Sequence, residues 1–215
     1  MTRDDAITLM STILGFRTDV ATRAPALLQM AQDHYERGPT YPWFLLSEDS
    51  TIRTADGDRR VPLPTGYIAE YEEGGLYYDT EVTGADLVEL SKDDFDYWNA
   101  FYGSSATGEP EAYSLDGLYF NIFPLPDDTY LLRTKVYLKD TDVSSISGDA
   151  TNKWLTYAPN CIIGWAGQVL ASGLRDNVAG AKFVSMESEG RKLLQIQNEE
   201  RKVSNRSLQI GGPEA

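Results

Sequence analysis

Two short acidic clusters are the residues of this chain best suited to acid–base chemistry. They are the runs Glu70-Tyr71-Glu72-Glu73 and Asp93-Asp94-Phe95-Asp96. A hydrolase with paired carboxylates needs one buried acid with a raised pKa beside a second acid that is ionised. These runs fall at a predicted turn and a predicted helix start, where acids are expected for structural reasons. We therefore predict no catalytic residues and no enzyme activity.

Metal and nucleophile chemistry is limited by composition. The chain has one histidine, His34, and one cysteine, Cys161, which is too few for the usual zinc sites and for any internal disulfide. Asp127-Asp128 and Asp140-Thr141-Asp142 are calcium candidates, but neither has the full loop spacing. We predict no metal and no cofactor.

A glycine pair and the aromatic residues have alternative interpretations. Gly164-Trp165-Ala166-Gly167 lies inside an apolar helical segment, and no Gly-Lys-Ser/Thr follows, so these glycines and Gly173 indicate close helix packing rather than a phosphate loop. Aromatic side chains in the middle of the chain favour a core, but they are also the type that stacks on sugars. The candidates for carbohydrate binding are Trp43, Trp98, Tyr77 and Tyr119.

Negative charge is concentrated in the middle of the chain. Residues 47–150 contain 22 acidic and 7 basic side chains, a net charge of −15, whereas the rest of the chain carries +1. A surface this acidic repels nucleic-acid backbones, which argues against sequence-specific DNA binding. The longest uncharged apolar stretch, Tyr157 to Leu174, is too polar for a membrane span, and the acidic N-terminus does not resemble a signal peptide.

Hydrophobic periodicity places helices at both ends of the chain. Residues 3–14 and a segment from Asp19 or Pro25 to Arg37 each carry one apolar stripe, with Pro25 expected near the first helical turn. Three helices are predicted between residues 150 and 203. The last has Phe183, Met186, Gly190, Leu193 and Gln197 on one face, Glu187 and Arg191 as an ion pair, and a length that extends past the bundle.

The middle of the chain has the pattern of β-strands with one short helix over residues 93–101. Two hairpins are predicted, one joining residues 67–71 to 76–80 and one joining residues 118–123 to 129–138. The fold class is therefore α+β: a helical bundle of four to five helices from residues 1–40 and 150–203, with an inserted antiparallel β-rich lobe at 41–149. Residues 204–215 form either a disordered terminus or an extended C-terminal arm that orders on a partner.

Three stretches carry a resemblance to a known family. They are Tyr41-Pro42-Trp43-Phe44-Leu45-Leu46-Ser47-Glu48, the run Leu118 to Pro124 with Asp127-Asp128, and the segment from Trp154 to Asp176. In this order the chain resembles the head–tail adaptor (connector) proteins of tailed bacteriophages. The similarity covers residues 3 to 200, and it rests on overall pattern rather than on one diagnostic motif.

The resemblance implies a structural role in a virion. It implies a twelve-fold ring of copies at the neck, assembled in the host bacterial cytoplasm, that joins the portal protein to a tail nozzle or tail-tube protein and lets DNA pass without specific contacts. The expected portal-interface residues are Lys192, Arg201, Lys202, Arg206, Leu208 and Ile210. The alternative is a carbohydrate- or receptor-binding virion module that uses the aromatic β-lobe.

Overall fold

The chain divides into two compact units, which we call the helical unit and the β unit. The structure, a computed structural model, describes residues 1–71, 75–80 and 87–209, with only the backbone described for residue 50 and residues 202–209. The helical unit comprises Met1–Leu45 and Asp140–Ala215, and the β unit comprises Leu46–Lys139. Helices from both chain ends pack together and the sheets come from the middle of the sequence, which confirms the predicted α+β class.

The described residues form six α-helices and one 3₁₀ turn at Trp43–Leu45. The α-helices are α1 (Arg3–Ile13), α2 (Asp19–Glu36), α3 (Phe95–Tyr102), α4 (Lys153–Tyr157), α5 (Pro159–Gly173) and α6 (Asn177–Gln209). All except α3 belong to the helical unit. Helix α6 continues six residues beyond the predicted end at residue 203, into the segment that the sequence assigned to an extended arm.

Local sequence signals explain most of the helix ends. The Thr2 hydroxyl accepts a hydrogen bond from the Asp5 N–H, and the Asp5 carboxylate accepts one from the Thr2 N–H, so α1 begins with a capping box. Asn152 caps α4 by accepting a hydrogen bond from the Leu155 N–H at 2.9 Å. The expected place of Pro25 in a first turn is wrong, because α2 begins at Asp19 and contains Pro25 in its interior.

A buried polar network joins the two chain segments of the helical unit. The Trp154 indole N–H donates to the Glu36 carboxylate at 2.8 Å, and the Gln32 amide donates to the same oxygen at 2.9 Å. The Gln32 carbonyl oxygen in turn accepts from the Val143 N–H at 3.1 Å and from the Asn152 amide at 3.2 Å. Helix α2 thereby holds both the segment after Lys139 and the start of α4.

The β unit contains eleven strands among its described residues. They are β1 (Leu46–Arg53), β2 (Arg60–Pro62), β3 (Tyr67–Glu70), β4 (Leu76–Asp79), β5 (Leu87–Glu89), β6 (Ser91–Lys92), β7 (Thr107–Gly108), β8 (Ala112–Asp116), β9 (Tyr119–Phe123), β10 (Leu125–Pro126) and β11 (Leu131–Leu138). One sheet has the order β1-β11-β4-β5 with β3 also on β11, and a second has the order β2-β9-β8-β6. The pairs β6–β8 and β7–β10 are parallel, in contrast to the antiparallel lobe that was predicted.

The core of the β unit forms between these two sheets. Its members alternate along their strands, so each strand places one face inward. From the first sheet come Leu76, Tyr78, Leu132 and Val136, and from the second come Val61, Tyr113, Phe120 and Ile122. This burial accounts for much of the aromatic content of the middle of the chain, as the sequence indicated.

Both predicted hairpins are wrong. Strands β3 and β4 each pair with β11, at Val136 and Thr134 respectively, and therefore follow one another along the same edge of it. Strands β9 and β11 belong to different sheets, because β9 pairs with β8 through a two-residue turn at Gly117-Leu118. Gly117 has φ +58°, the conformation required of a glycine at the first position of a tight hairpin turn.

Candidate functional site

The last helix, α6, is held against α5 by glycines at three points of close approach. Gly164 lies against the backbone of Glu187, where an added Cβ would be 2.6 Å from the backbone nitrogen. Gly167 lies against the ring of Phe183, and Gly190 lies against the backbone nitrogen of Cys161. The predicted packing role of Gly164 and Gly167 is confirmed. That of Gly173 is wrong for the described chain, since nothing lies within 4 Å of a Cβ placed there.

A charged cluster fixes the same part of α6 to α2. The Glu187 carboxylate accepts hydrogen bonds from the Tyr35 hydroxyl at 2.6 Å and from the Gln168 amide, and it pairs with the Arg191 guanidinium at 2.6 Å. Burial of Glu187 opposes its ionisation, but these donors and the charge of Arg191 outweigh that effect and lower its pKa. The predicted Glu187–Arg191 pair is confirmed, and it is part of a larger cluster than the sequence indicated.

A second anchor holds α6 farther along, beside the 3₁₀ turn. The Asn198 side-chain oxygen accepts a hydrogen bond from the Trp43 N–H at 2.9 Å, and the Arg201 guanidinium lies 4.6 Å from the centre of the Trp43 ring. Trp43 also packs against Phe44 and Tyr157. The orientation of α6 is thus fixed by the helical unit as far as Arg201.

Of the six residues predicted to contact a portal, the structure describes the side chains of two and only the backbone of three, and the sixth lies outside the described residues. Lys192 is exposed, whereas Arg201 already lies on the Trp43 ring. Lys202, Arg206 and Leu208 belong to α6, and their side chains are outside the described atoms. Ile210 lies outside the described residues altogether. Within the described atoms, these six residues therefore form no cluster of side chains.

The structure shows instead an exposed apolar stripe on α6 that the sequence analysis missed. Val178, Leu193 and Ile196 are 72%, 56% and 51% exposed, and helical geometry places them on one side of the helix. Leu193 shares the predicted face with Phe183 and Gly190 but is exposed, because α5 ends its contact with α6 near Gly190. The available signal was the length difference between α5, with 15 residues, and α6, with 33.

Comparison with known protein families decides the class of the chain. A family model described as SU10 adaptor protein matches residues 1–207. The chain belongs to the SU10 adaptor protein family. No curated protein matches it. The resemblance to phage adaptor proteins predicted from the sequence is thereby confirmed, and the family is one of structural rather than catalytic proteins.

Two residues of the acidic clusters, Glu70 and Asp94, have a structural place in this adaptor. The Glu70 carboxylate pairs with Lys92 and accepts a hydrogen bond from the Tyr113 hydroxyl, while Glu72 and Glu73 lie outside the described residues. Asp94 is the N-cap residue of α3. Among the described residues, no group of three or more His, Cys, Asp or Glu is arranged to hold a metal ion.

The histidine and the cysteine of the adaptor are separately engaged. His34 stacks on Trp165, with ring centres 5.3 Å apart. Cys161 is buried against α6, and burial raises the pKa of its thiol to about 11. A thiol with so high a pKa is a poor nucleophile at neutral pH.

The four carbohydrate candidates belong to both units. Trp43 is part of the α6 anchor in the helical unit. In the β unit, Tyr77 lies beneath the Lys135 amine and Tyr119 beneath the Arg60 guanidinium. Trp98 lies on α3, whose Tyr97 and Phe101 are exposed. Within the described chain, no helix is both long and apolar enough to cross a bilayer.

Proposed function

We propose that this adaptor forms a ring of twelve copies at the neck of a tailed phage, where it joins the portal to a tail nozzle or tail-tube protein. The observation that carries the proposal is the family match over residues 1–207. An exposed apolar stripe on a helix of 33 residues, about 50 Å long, supports a role in contact with other subunits.

The end of α6 is the proposed portal contact. Lys192, Lys202 and Arg206 would meet an acidic portal surface, and Leu208 and Ile210 would provide apolar anchors. Arg201 is better described as an anchor of α6 itself, because its guanidinium lies on Trp43. This division assigns the positioning of the helix to Asn198 and Arg201, and docking to Lys192 and the residues that follow Arg201.

The β unit is proposed to supply an acidic lining for the DNA channel. Of its 15 described acidic residues, 12 are exposed. Five of its seven basic side chains contact groups of the unit itself, namely Arg133 with Asp79, Lys92 with Glu70, Arg59 with Phe123, Arg60 with Tyr119 and Lys135 with Tyr77. A surface with so few available cations gives DNA phosphates little to bind and lets DNA slide.

Truncation of α6 tests the portal contact. Removing residues 203–215 leaves Asn198 and Arg201 in place, so the helical unit is expected to fold while binding to purified portal is lost. Binding is measured by sedimentation, and negative-stain class averages show whether a collar forms below the portal. A truncated protein that still docks would refute the assignment of the contact to this end of α6.

One observation favours the second candidate function, carbohydrate or receptor binding. Helix α3 exposes Tyr97 and Phe101 beside the half-buried Trp98. If this surface binds sugars, oligosaccharides should quench the tryptophan fluorescence of the wild type and have no effect on Trp98→Phe. A glycan array without a hit would remove this candidate.

A further inference from the structure

The helical unit has a groove along the outer side of α2, which is apolar where α5 forms its other wall and more polar beyond α5. Two hollows follow one another there: Arg23, Leu27, Val169 and Gly173 line the first, together with Ala26 and Leu170. The second is lined by Met30, Asp33, His34, Arg37 and Gly38. We call these two hollows the α2–α5 groove. Met30 is 52% exposed and Val169 40%, so the groove leaves apolar side chains open to water.

Gly173 marks the open end of this groove. Gly164 and Gly167 each have a neighbouring element against them, but a Cβ at Gly173 would meet nothing within 4 Å. Gly173 is the last residue of α5, and no packing contact of the described chain requires a glycine there. A small residue at this position leaves room for a helix from outside the described chain.

The charges at the ends of the groove are positive. Arg23 and Arg37 are exposed at its two ends, fourteen residues and therefore about 21 Å apart along α2. Between them Leu27, Met30 and His34 continue the stripe at spacings of three and four residues. Asp33, which also lines the groove, accepts a hydrogen bond from the Gln29 amide.

The exposed stripe of α6 has the complementary pattern. Glu189, Leu193, Ile196 and Glu200 follow at spacings of four, three and four residues, so they share one side of the helix. Its two acids are eleven residues apart, or about 17 Å, and two flexible arginine side chains can meet them. The α6 stripe therefore has an acid at each end and two apolar residues between them, with Lys192 beside it. The groove has an arginine at each end and Leu27, Met30 and His34 between them, with Asp33 beside the second arginine.

We propose that the α2–α5 groove of one copy receives the α6 stripe of a second copy of this chain. The two surfaces are different parts of the same molecule, so the contact is heterologous, and a contact of that kind closes into a ring when its rotation allows. The inference rests on the proposed ring and specifies which faces build it. It accounts together for the exposed apolar residues of both surfaces and for the open site at Gly173.

Filling the groove is the first test. Gly173→Leu adds a side chain where the described chain has no contact, so the subunit is expected to fold normally while self-association weakens at least tenfold. The matched control is Ser188→Leu, which adds similar bulk at an exposed position one residue before Glu189, on another side of α6. Self-association is measured by analytical ultracentrifugation up to about 1 mM protein, and folding by circular dichroism.

Exchanging the charges is the second test. Arg23→Glu with Arg37→Glu, or Glu189→Arg with Glu200→Arg, should each weaken self-association at least tenfold. An equimolar mixture of the two double variants should restore it, because each groove then meets a helix of opposite charge. Gln195→Arg is the control, since Gln195 is exposed on α6 and, one residue before Ile196, lies on another side of the helix.

Each outcome decides the inference. Restoration in the mixture supports it. Self-association that ignores Gly173→Leu and the charge reversals would overturn it while leaving the ring itself intact, as would groove variants that lose only the binding of another virion protein. A wild type that stays monomeric at 1 mM would also overturn it. If the mixture restores association but no collar forms on a portal, the proposed function fails and the groove assignment stands.

Discussion

The close packing of α5 on α6 makes a sharp prediction for the variant Gly164→Ala. A methyl group at this position would lie 2.6 Å from the Glu187 backbone nitrogen and 2.7 Å from its Cα. Ordinary contacts between carbon atoms are about 3.5 to 4.0 Å long, so α6 would have to move by about 1 Å. The obstacle is backbone, which cannot rotate away as a flexible side chain can.

Two opposing effects set the size of the change. Overpacking of a well-filled interface costs up to about 3 kcal/mol, and displacement of Glu187 also strains its bonds to Tyr35 and Gln168. Replacing glycine by alanine inside a helix returns about 1 kcal/mol through helix propensity. We therefore expect Gly164→Ala to lower the free energy of unfolding by about 2 kcal/mol.

Urea denaturation followed by tryptophan fluorescence measures this difference. The matched control is Gly173→Ala on the same helix, where nothing lies within 4 Å of the new methyl group. That variant should be more stable than the wild type by about 0.5 to 1 kcal/mol. If Gly164→Ala unfolded at the same urea concentration as the wild type, or at a higher one, the glycine contact would not be what brings the two helices together.

Three further variants test the other contacts of the helical unit. Glu187→Gln should lower the free energy of unfolding by about 2 kcal/mol at pH 7. Because folding lowers the pKa of Glu187, the stability from its ionised form is complete above the unfolded value of 4.5 and is lost as the pH falls, so the urea midpoints of variant and wild type should converge in acid. Asn152→Ala should cost about 2 kcal/mol in the same assay, since it removes the α4 cap and a buried bond to Gln32; a loss below 0.5 kcal/mol would contradict this. Asn198→Ala should speed amide hydrogen exchange in the last third of α6 while leaving α5 unchanged, and equal exchange in both proteins would show that the Trp43 anchor is not needed.

The helices could be predicted from sequence because their signals are local. The capping of α1 by Thr2, the stop at Gly15 with φ +75° and the apolar stripes of α1 and α2 all lie within a few residues of what they determine. The start of α2 at Asp19 could not be decided in this way. Pro25 favours a first turn, and the tertiary packing of Val20 and Ala24 outweighs that preference.

The strand pairing could not be predicted, because it depends on which sheet each strand joins. The signal for the true hairpin was Gly117-Leu118, because a glycine at the first position of a two-residue turn joins antiparallel strands. The predicted turn between β9 and β11 contains Pro124 and Pro126, and there the chain passes from one sheet to the other, with β10 pairing to β7. Alternation gives the face of each strand but not its neighbour.

In the candidate site too, the sequence predicts which residues share a face of a helix but not what packs against that face. Helical periodicity placed Phe183 and Gly190 on one face of α6, and both are buried. It also placed Leu193 there, because periodicity continues along a helix whether or not a neighbour does. Only the end of α5 contact near Gly190 leaves Leu193 and Ile196 exposed, and that is a property of the assembled fold.

The anchor at Trp43 explains how so much exposed helix can serve as an interface. Beyond Gly190, α6 has left α5, and an isolated helix end frays. If residues 191–201 had to become ordered when they bound, the cost would be on the order of 10 kcal/mol, at about 1 kcal/mol per residue. Asn198 and Arg201 hold this stretch against the 3₁₀ turn before any partner arrives. The ordering cost is then met during folding, so the apolar contacts of Leu193 and Ile196 are available in full for association.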